Sequence, residues 1–214
     1  MDIFDKIARR GFFKFGTLAL GAIGVGSAAT LGATNAEARN RRNLDLEVCC
    51  NGNSIRFEGP QGPNPNNLSD LGPHPYYGAS FVVQGIIYPS GTLPTVGSGI
   101  LGDGSPQFPD SVLGTWTCRG WFVGDSVNDA RGGIFTPTGP FVATTQLYDL
   151  DSENPGAEML VTDGVELIDL DVPFQRAITG GTGIYRKARG EVTQTAIAVN
   201  STNLFNFTFS FKVR

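Results

Sequence analysis

One histidine, three cysteines and two methionines in 214 residues leave few side chains for the commonest catalytic and metal chemistries. His74 stands between prolines in "GPHPYYG", where it reads as a solvated loop residue, so no Ser/His/Asp triad can be assembled around it. The cysteines lack the C-x-x-C spacing of a zinc site, and neither a metal nor a cofactor is implied. Positive charge is scarce as well: 16 Lys and Arg face 20 Asp and Glu, for a net charge of −4. A nucleic-acid partner is thereby excluded, because such binding rests on neutralising phosphates with Lys and Arg. Past residue 40 no hydrophobic run is long enough to span a membrane, and no stretch has helical periodicity.

What is present begins with an address. Arg9 and Arg10 precede Phe12, Phe13 and Lys14, a Gly/Ala-rich apolar stretch and then Ala36-Glu37-Ala38. That order resembles a twin-arginine export signal with an A-x-A cleavage site over residues 1–38, and it predicts a periplasmic or secreted mature chain beginning near Arg39. The alternative, an uncleaved membrane helix over the uncharged residues 15–34, is disfavoured by their many glycines. Beyond residue 38 there remain 12 Lys and Arg against 17 Asp and Glu, and 176 residues, enough for one domain.

Residues 39–78 read as a polar, Pro/Gly-rich and partly disordered lead-in with a short strand at "SIRFEG". From Gly59 to Pro109 there are 10 glycines and 9 prolines, which break regular structure repeatedly. Inside that region "ASFVVQGIIY", residues 79–88, is a good strand, and 89–110 is a long loop, either a binding loop or lid or an insertion. Strands are expected next at 112–124, 134–150, 157–163, 174–179, 184–199 and 203–213, with no helices between them. The expected domain is therefore an antiparallel barrel or sandwich over 79–214. Its last strand alternates cleanly: Phe205, Phe207, Phe209, Phe211 and Val213 share one face, and Asn206, Thr208, Ser210 and Lys212 the other.

The stretch "AITGGTGIYRKARGEV", residues 177–192, has the glycine density of a phosphate loop. A phosphate loop leads into a helix, however, and here the glycines lead into residues that alternate as a strand, so they are read as supplying a turn or bulge. "RAITGGTGIYRKARGEV", followed by the aromatic alternating strand, resembles the C-terminal half of the allene oxide cyclase and dirigent superfamily, whose members carry a similar G-G-[ST]-G-x-[FY]-x-x-A-[RY]-G turn and strand. The similarity extends more weakly over residues 116–214. It implies an eight-stranded antiparallel, calycin-like barrel with an apolar cavity, a trimer, and a small hydrophobic or phenolic ligand whose cyclisation or coupling is guided by orientation. A non-catalytic carrier or structural, oligomerising barrel of the cell envelope is the alternative.

On that resemblance Arg189 falls where dirigent proteins keep an arginine proposed to line the pocket, with Tyr185 and Arg186 beside it. Thr182-Gly183 stands where the coupling-directing members have an aspartate. Arg119 beside Trp121, and Tyr148 beside Gln146, are further candidates to present polar groups to a cavity. Outside the cytoplasm a disulfide is permitted, and Cys118 with Cys49 or Cys50 is the expected pair. The acidic run from Asp149 to Asp171 begins like a calcium loop at Asp149-x-Asp151-x-Glu153, but it lacks the sixth-position glycine and has Leu160 at the twelfth position. It reads as a solvated rim, in which a paired-carboxylate hydrolase would take Glu166 or Asp163 as its acid.

Overall fold

The computed structural model describes residues 42–59, 61–62, 74–75, 78–93, 98–124, 141–167 and 170–214. The expected leader at 1–38, most of the lead-in at 60–77 and the first part of the strand expected at 134–150 lie outside the described residues. Among those described, ten strands follow in order: β1 (Arg42–Glu58), β2 (Gln61–Gly62), β3 (His74–Pro75), β4 (Ser80–Pro89), β5 (Gly114–Gly124), β6 (Phe141–Asp149), β7 (Met159–Leu167), β8 (Pro173–Gly181), β9 (Gly190–Val199) and β10 (Phe205–Val213). All but β2 and β3, which pair with each other, form one closed antiparallel barrel in which every strand lies beside its neighbour in sequence and β1 closes against both β4 and β10. The fold expected from the sequence, an all-β barrel of eight strands, is the one observed. No described helix is long and apolar enough to cross a membrane.

Two boundaries differ from the sequence expectation. The barrel begins at Arg42, so the supposed lead-in supplies its first strand, and residue 79 is the start of the second barrel strand. In "NLDLEVCCN" Leu44, Leu46 and Val48 alternate with Asn43, Asp45 and Glu47, and they pair with Phe211, Phe209 and Phe207 of β10. The strand bends at a register shift between Asn51 and Arg56, which places the hairpin of polar residues around Gly52 outside the ladder. The second difference lies at 184–189, expected as the start of a strand. Gly183 to Tyr185 form a 3-10 turn and β9 starts only at Gly190. Gly183 has φ +54 and Gly190 has φ +136, and a Cβ on Gly190 would sit 2.0 Å from the Lys212 carbonyl oxygen. The glycines thus turn the chain from β8 into β9.

The described part of the long β4–β5 loop covers the outside of the barrel. Leu93 and Ile100 pack with Cys49 and Tyr88, joined by Phe108 and Val112, on the outer face of β1 and β4. The Glu47 carboxylate accepts from the amides of Gly91 (2.8 Å) and Leu93 (2.6 Å), the Tyr88 hydroxyl donates to the Gly99 carbonyl (2.6 Å), and the Asn206 side-chain amide donates to the Ser98 carbonyl (2.8 Å). These bonds explain why Glu47 and Asn206, polar residues on an outer face, are buried. The described part of the loop is a flap on the barrel wall.

Candidate functional site

Side chains of strands that are not neighbours can meet only by crossing the lumen, and several do. Tyr148 of β6 stands edge-on to Phe209 and Phe211 of β10, at centroid separations of 5.1 and 5.0 Å. Trp116 of β5 lies 6.2 Å from Phe207 of β10. Eight strands leave an interior just wide enough for such side chains. At the end of the barrel where β6 finishes and β7 begins, Leu46, Leu160, Val192 and Ile178 join these rings and are buried. That end is filled.

Next to this apolar plug lies a layer of buried polar groups, drawn from four consecutive strands. Thr144 and Gln146 come from β6, Thr162 and Glu166 from β7, Arg176 from β8 and Gln194 from β9, and all are buried. The Tyr148 hydroxyl donates to the Gln146 carbonyl oxygen, and the Gln146 amide donates to Gln194 (3.0 Å) and to Glu166 Oε2 (3.3 Å). The Gln194 amide also donates to Oε2, so both glutamines turn their N–H groups toward one carboxylate oxygen. Arg176 Nη1 lies 4.0 Å from the same oxygen, and its guanidinium donates to the Thr144 hydroxyl (2.7 Å), the Thr144 carbonyl (3.0 Å) and the Thr162 hydroxyl (3.3 Å). A buried charge pair of this kind persists only where its other donors and acceptors are satisfied, as the guanidinium and Oε2 are here.

Beyond the polar layer, toward the other end, the lumen opens into a cavity of about 60 Å³. Its wall is made by Cys50, Val83, Trp116, Cys118, Glu166 and Phe207, and its half-buried rim by Ile55, Phe81, Leu204 and Phe205. Glu166 is the one ionisable acid in that lining. Among the described residues its Oε1, unlike Oε2, receives only the Cys118 thiol at 3.8 Å. The Trp116 indole N–H is buried without a hydrogen-bond partner. Burial first, and then the neighbouring Glu166 carboxylate, raises the Cys118 thiol well above its ordinary pKa, and burial does the same to Cys50. Both wall thiols are therefore held neutral. An otherwise apolar chamber with a fixed carboxylate in its lining can seat a small hydrophobic group.

No protein-family model matches the sequence, and no curated protein matches it. Several solved structures align over most of the chain, each with a TM-score below 0.5. Pyocyanin demethylase aligns with a TM-score of 0.47 at 18% identity, over 81% of this chain and 100% of its own. A pterocarpan synthase dirigent protein aligns at 0.49 and 14%, over 89% of this chain and 96% of its own. A nonspecific heme-binding cyclase of neoabyssomicin biosynthesis aligns at 0.42 and 10%, over 85% of this chain and 69% of its own. Dirigent proteins are thus among the similar structures, and likeness at these identities and TM-scores carries no argument about function. The interior has to be read from its own residues.

Of the five ligand-contact candidates drawn from the sequence, only Tyr148 reaches the interior. Arg189, Arg186 and Tyr185 belong to the β8–β9 turn at the filled end, where the two arginines are exposed and Tyr185 is buried. The Arg189 guanidinium donates to the Ala188 carbonyl (2.7 Å) and lies beside Gly180. Arg119 is exposed on the outer face of β5, next to Trp121, which is 55% exposed. The expected disulfide is absent: all three cysteines are buried free thiols. Strand β4 separates Cys118 from β1, so about two strand spacings of ~4.8 Å lie between their backbones, beyond the roughly 7 Å reach of a bridge. Cys49 moreover faces outward under the flap while Cys50 faces the lumen.

The carboxylates of the supposed calcium loop cap their own turn. Asp149 accepts from the Gly156 amide (2.6 Å), and Asp151 from the amides of Glu153 (3.1 Å) and Asn154 (3.2 Å). Asp163 is bonded to the hydroxyls of Thr145 (2.6 Å) and Thr179 (3.0 Å) on the outer wall, so it and Glu166 lie on opposite faces of the sheet and form no catalytic pair. Sequence reasoning missed Arg176, Gln194, Thr144 and Thr162 as interior groups. Their one signal was a polar residue in phase with buried apolar ones, as Arg176 is with Ile178 and Gln194 with Val192.

Proposed function

We propose that this protein is an exported barrel that binds a small hydrophobic or phenolic molecule by one end and directs its cyclisation or coupling. The observation that carries the reading is Glu166, a carboxylate fixed by Gln146, Gln194 and Arg176 at the wall of an otherwise apolar cavity. The size of the chamber decides how a ligand sits. About 60 Å³ holds a few waters, at ~10–15 Å³ each, and is less than half of the ~150 Å³ that takes up a benzene ring. One end of the molecule therefore enters, and the remainder rests on the apolar rim at Ile55, Phe81, Leu204 and Phe205. A reactive molecule so anchored is restricted to few conformers, which is the orientation contribution to catalysis, and Glu166 is placed to accept or return a proton at the buried end.

The test is product stereochemistry. Reactive unsaturated lipids or phenoxy radicals incubated with the protein are expected to give one enantiomer in excess, with the excess lost in Glu166→Gln. Racemic product at the spontaneous rate rejects the directing role for those substrates. The filled end of the barrel favours the second reading, a carrier or structural barrel, and a bound ligand released unchanged would establish the carrier. Export through the twin-arginine route, as a trimer, completes the proposal. Buried free thiols fit a chain that folds in a reducing compartment before it is exported. N-terminal sequencing of the exported protein should begin near Arg39, and a chain still starting at Met1 would reject cleavage.

A further inference from the structure

We propose that the cavity takes the unbranched hydrocarbon end of its ligand and leaves the polar end outside the rim, so that the preferred ligand is a straight-chain lipid and not a phenol. The inference rests on the binding role above and narrows the ligands that fill it. Hydrocarbon is what the wall asks for. Val83, Phe207 and the Trp116 ring present carbon, and the Cys50 and Cys118 thiols are neutral and bond weakly. The Trp116 indole nitrogen is buried in the wall and not exposed to the cavity, and Glu166 Oε2 is taken by the Gln146 and Gln194 amides, so the surface facing the cavity is almost wholly apolar. A hydroxyl or amide pushed against that surface gives up its water and finds no strong partner among the described residues, whereas a methyl end loses nothing and gains about fourfold in affinity for each methylene that follows it in.

Volume excludes a ring. The cavity holds about 60 Å³ where benzene takes about 150 Å³, so there is room for about two to three carbons. The wall does not yield easily. The rings of Trp116 and Phe207 are in contact, with 6.2 Å between centroids, and each is backed by close neighbours. Trp116 lies against Gly85, where even a Cβ would come within 3.1 Å of the indole, and Phe207 packs on Phe205 and Phe209 at 6.1 and 5.9 Å. Seating a ring means displacing packed aromatics, whereas a chain end fits the space as it stands. The methylenes behind that end lie across Ile55, Phe81, Leu204 and Phe205, and the polar head reaches water beyond them.

The test uses the full-length chain with Trp121→Phe, which leaves Trp116 as its sole tryptophan, titrated with hexan-1-ol, hexane-1,2-diol, hexane-1,6-diol and 3-phenylpropan-1-ol while indole emission and heat of binding are followed. The two diols have one composition and differ only in where the second hydroxyl sits. Hexan-1-ol and the 1,2-diol, which keep an apolar end, should each bind at least about tenfold more tightly than the 1,6-diol, which is polar at both ends. Hexan-1-ol should bind at least about fivefold more tightly than 3-phenylpropan-1-ol, whose apolar end is a ring. Phe207→Ala takes a ring out of the wall and should remove that preference. If the 1,6-diol binds as tightly as the 1,2-diol, or the phenyl alcohol as tightly as hexan-1-ol, the straight-chain selection is wrong while the binding role stands. If none of the four binds, both fall. The four-compound series on the Trp121→Phe protein decides the matter even if Phe207→Ala does not fold.

Discussion

At one end of the lumen Tyr148 is wedged edge-on between Phe209 and Phe211 and sealed by Leu46, Leu160 and Val192, while toward the other Glu166 and Trp116 face a chamber whose rim is half-buried. The same eight strands build both, yet the first end gains from every apolar atom removed from water and the second keeps an ion pair, two glutamines and an unpartnered indole N–H away from it. Apolar packing and buried polar groups are therefore segregated along the barrel axis. The filled end holds the strands in register, which lets the polar layer be fixed in position without contributing much net stability of its own.

The sharpest way to break this contrast is to remove the cation from the polar layer. Arg176→Met strands Glu166 as a buried, uncompensated charge and should cost about 4 kcal/mol in urea-induced unfolding, most of it regained in the Arg176→Met/Glu166→Gln double variant. A double variant as unstable as the single one would show that packing of the arginine stem, and not charge, dominates there. Next comes the phenylalanine row. Phe209→Ala at the filled end should lose about 3 kcal/mol by leaving a cavity, whereas Phe205→Ala at the rim should lose about 1 kcal/mol, and equal losses would erase the distinction between the ends.

A smaller effect is expected outside the lumen. Glu47→Ala leaves the buried amide of Leu93, and that of Gly91 beside it, without their acceptor, at a cost of about 2 kcal/mol, and should increase proteolysis within the β4–β5 flap while leaving ligand binding intact. The smallest effect at neutral pH belongs to the thiols. Burial pushes Cys49 up to about 12 from an ordinary 9.0, so the folded state holds its proton more tightly than the unfolded chain does. Its contribution is complete below pH 9 and is lost as pH rises from 9 to 12, and the fall of the urea midpoint over that window should be shallower in Cys49→Ala.

Much of the fold was legible in local pattern. The Phe207, Phe209, Phe211 and Val213 face of β10 is the interior face, and the glycines at 183 and 190 make a turn because only backbone freedom explains them. The end of strand β1 is legible at "SIRFEG", but its first half is not although its leucines alternate, since the acidic residues between them and the cysteine pair resemble a polar lead-in. One of those acids, Glu47, is buried against the flap, a partnership between residues more than forty positions apart. The site was less legible. In β6 both faces mix small, polar and apolar residues, Val142, Thr144, Gln146 and Tyr148 against Ala143, Thr145, Leu147 and Asp149, so alternation alone does not say which set is inside. The arginines of the β8–β9 turn, named through the resemblance, are exposed at the end of the barrel away from the cavity.

The sequence by itself determined that the chain forms short antiparallel strands joined by turns, because a two-residue period and glycine punctuation are local properties of a pleated backbone. It also determined which residues of the last strand seek burial. Only closure of the sheet decided what those strands enclose. Gln146, Glu166, Arg176 and Gln194 sit on four successive strands and meet because curvature turns one face of each toward a common axis, where a charge stays buried only if its partners are already in place.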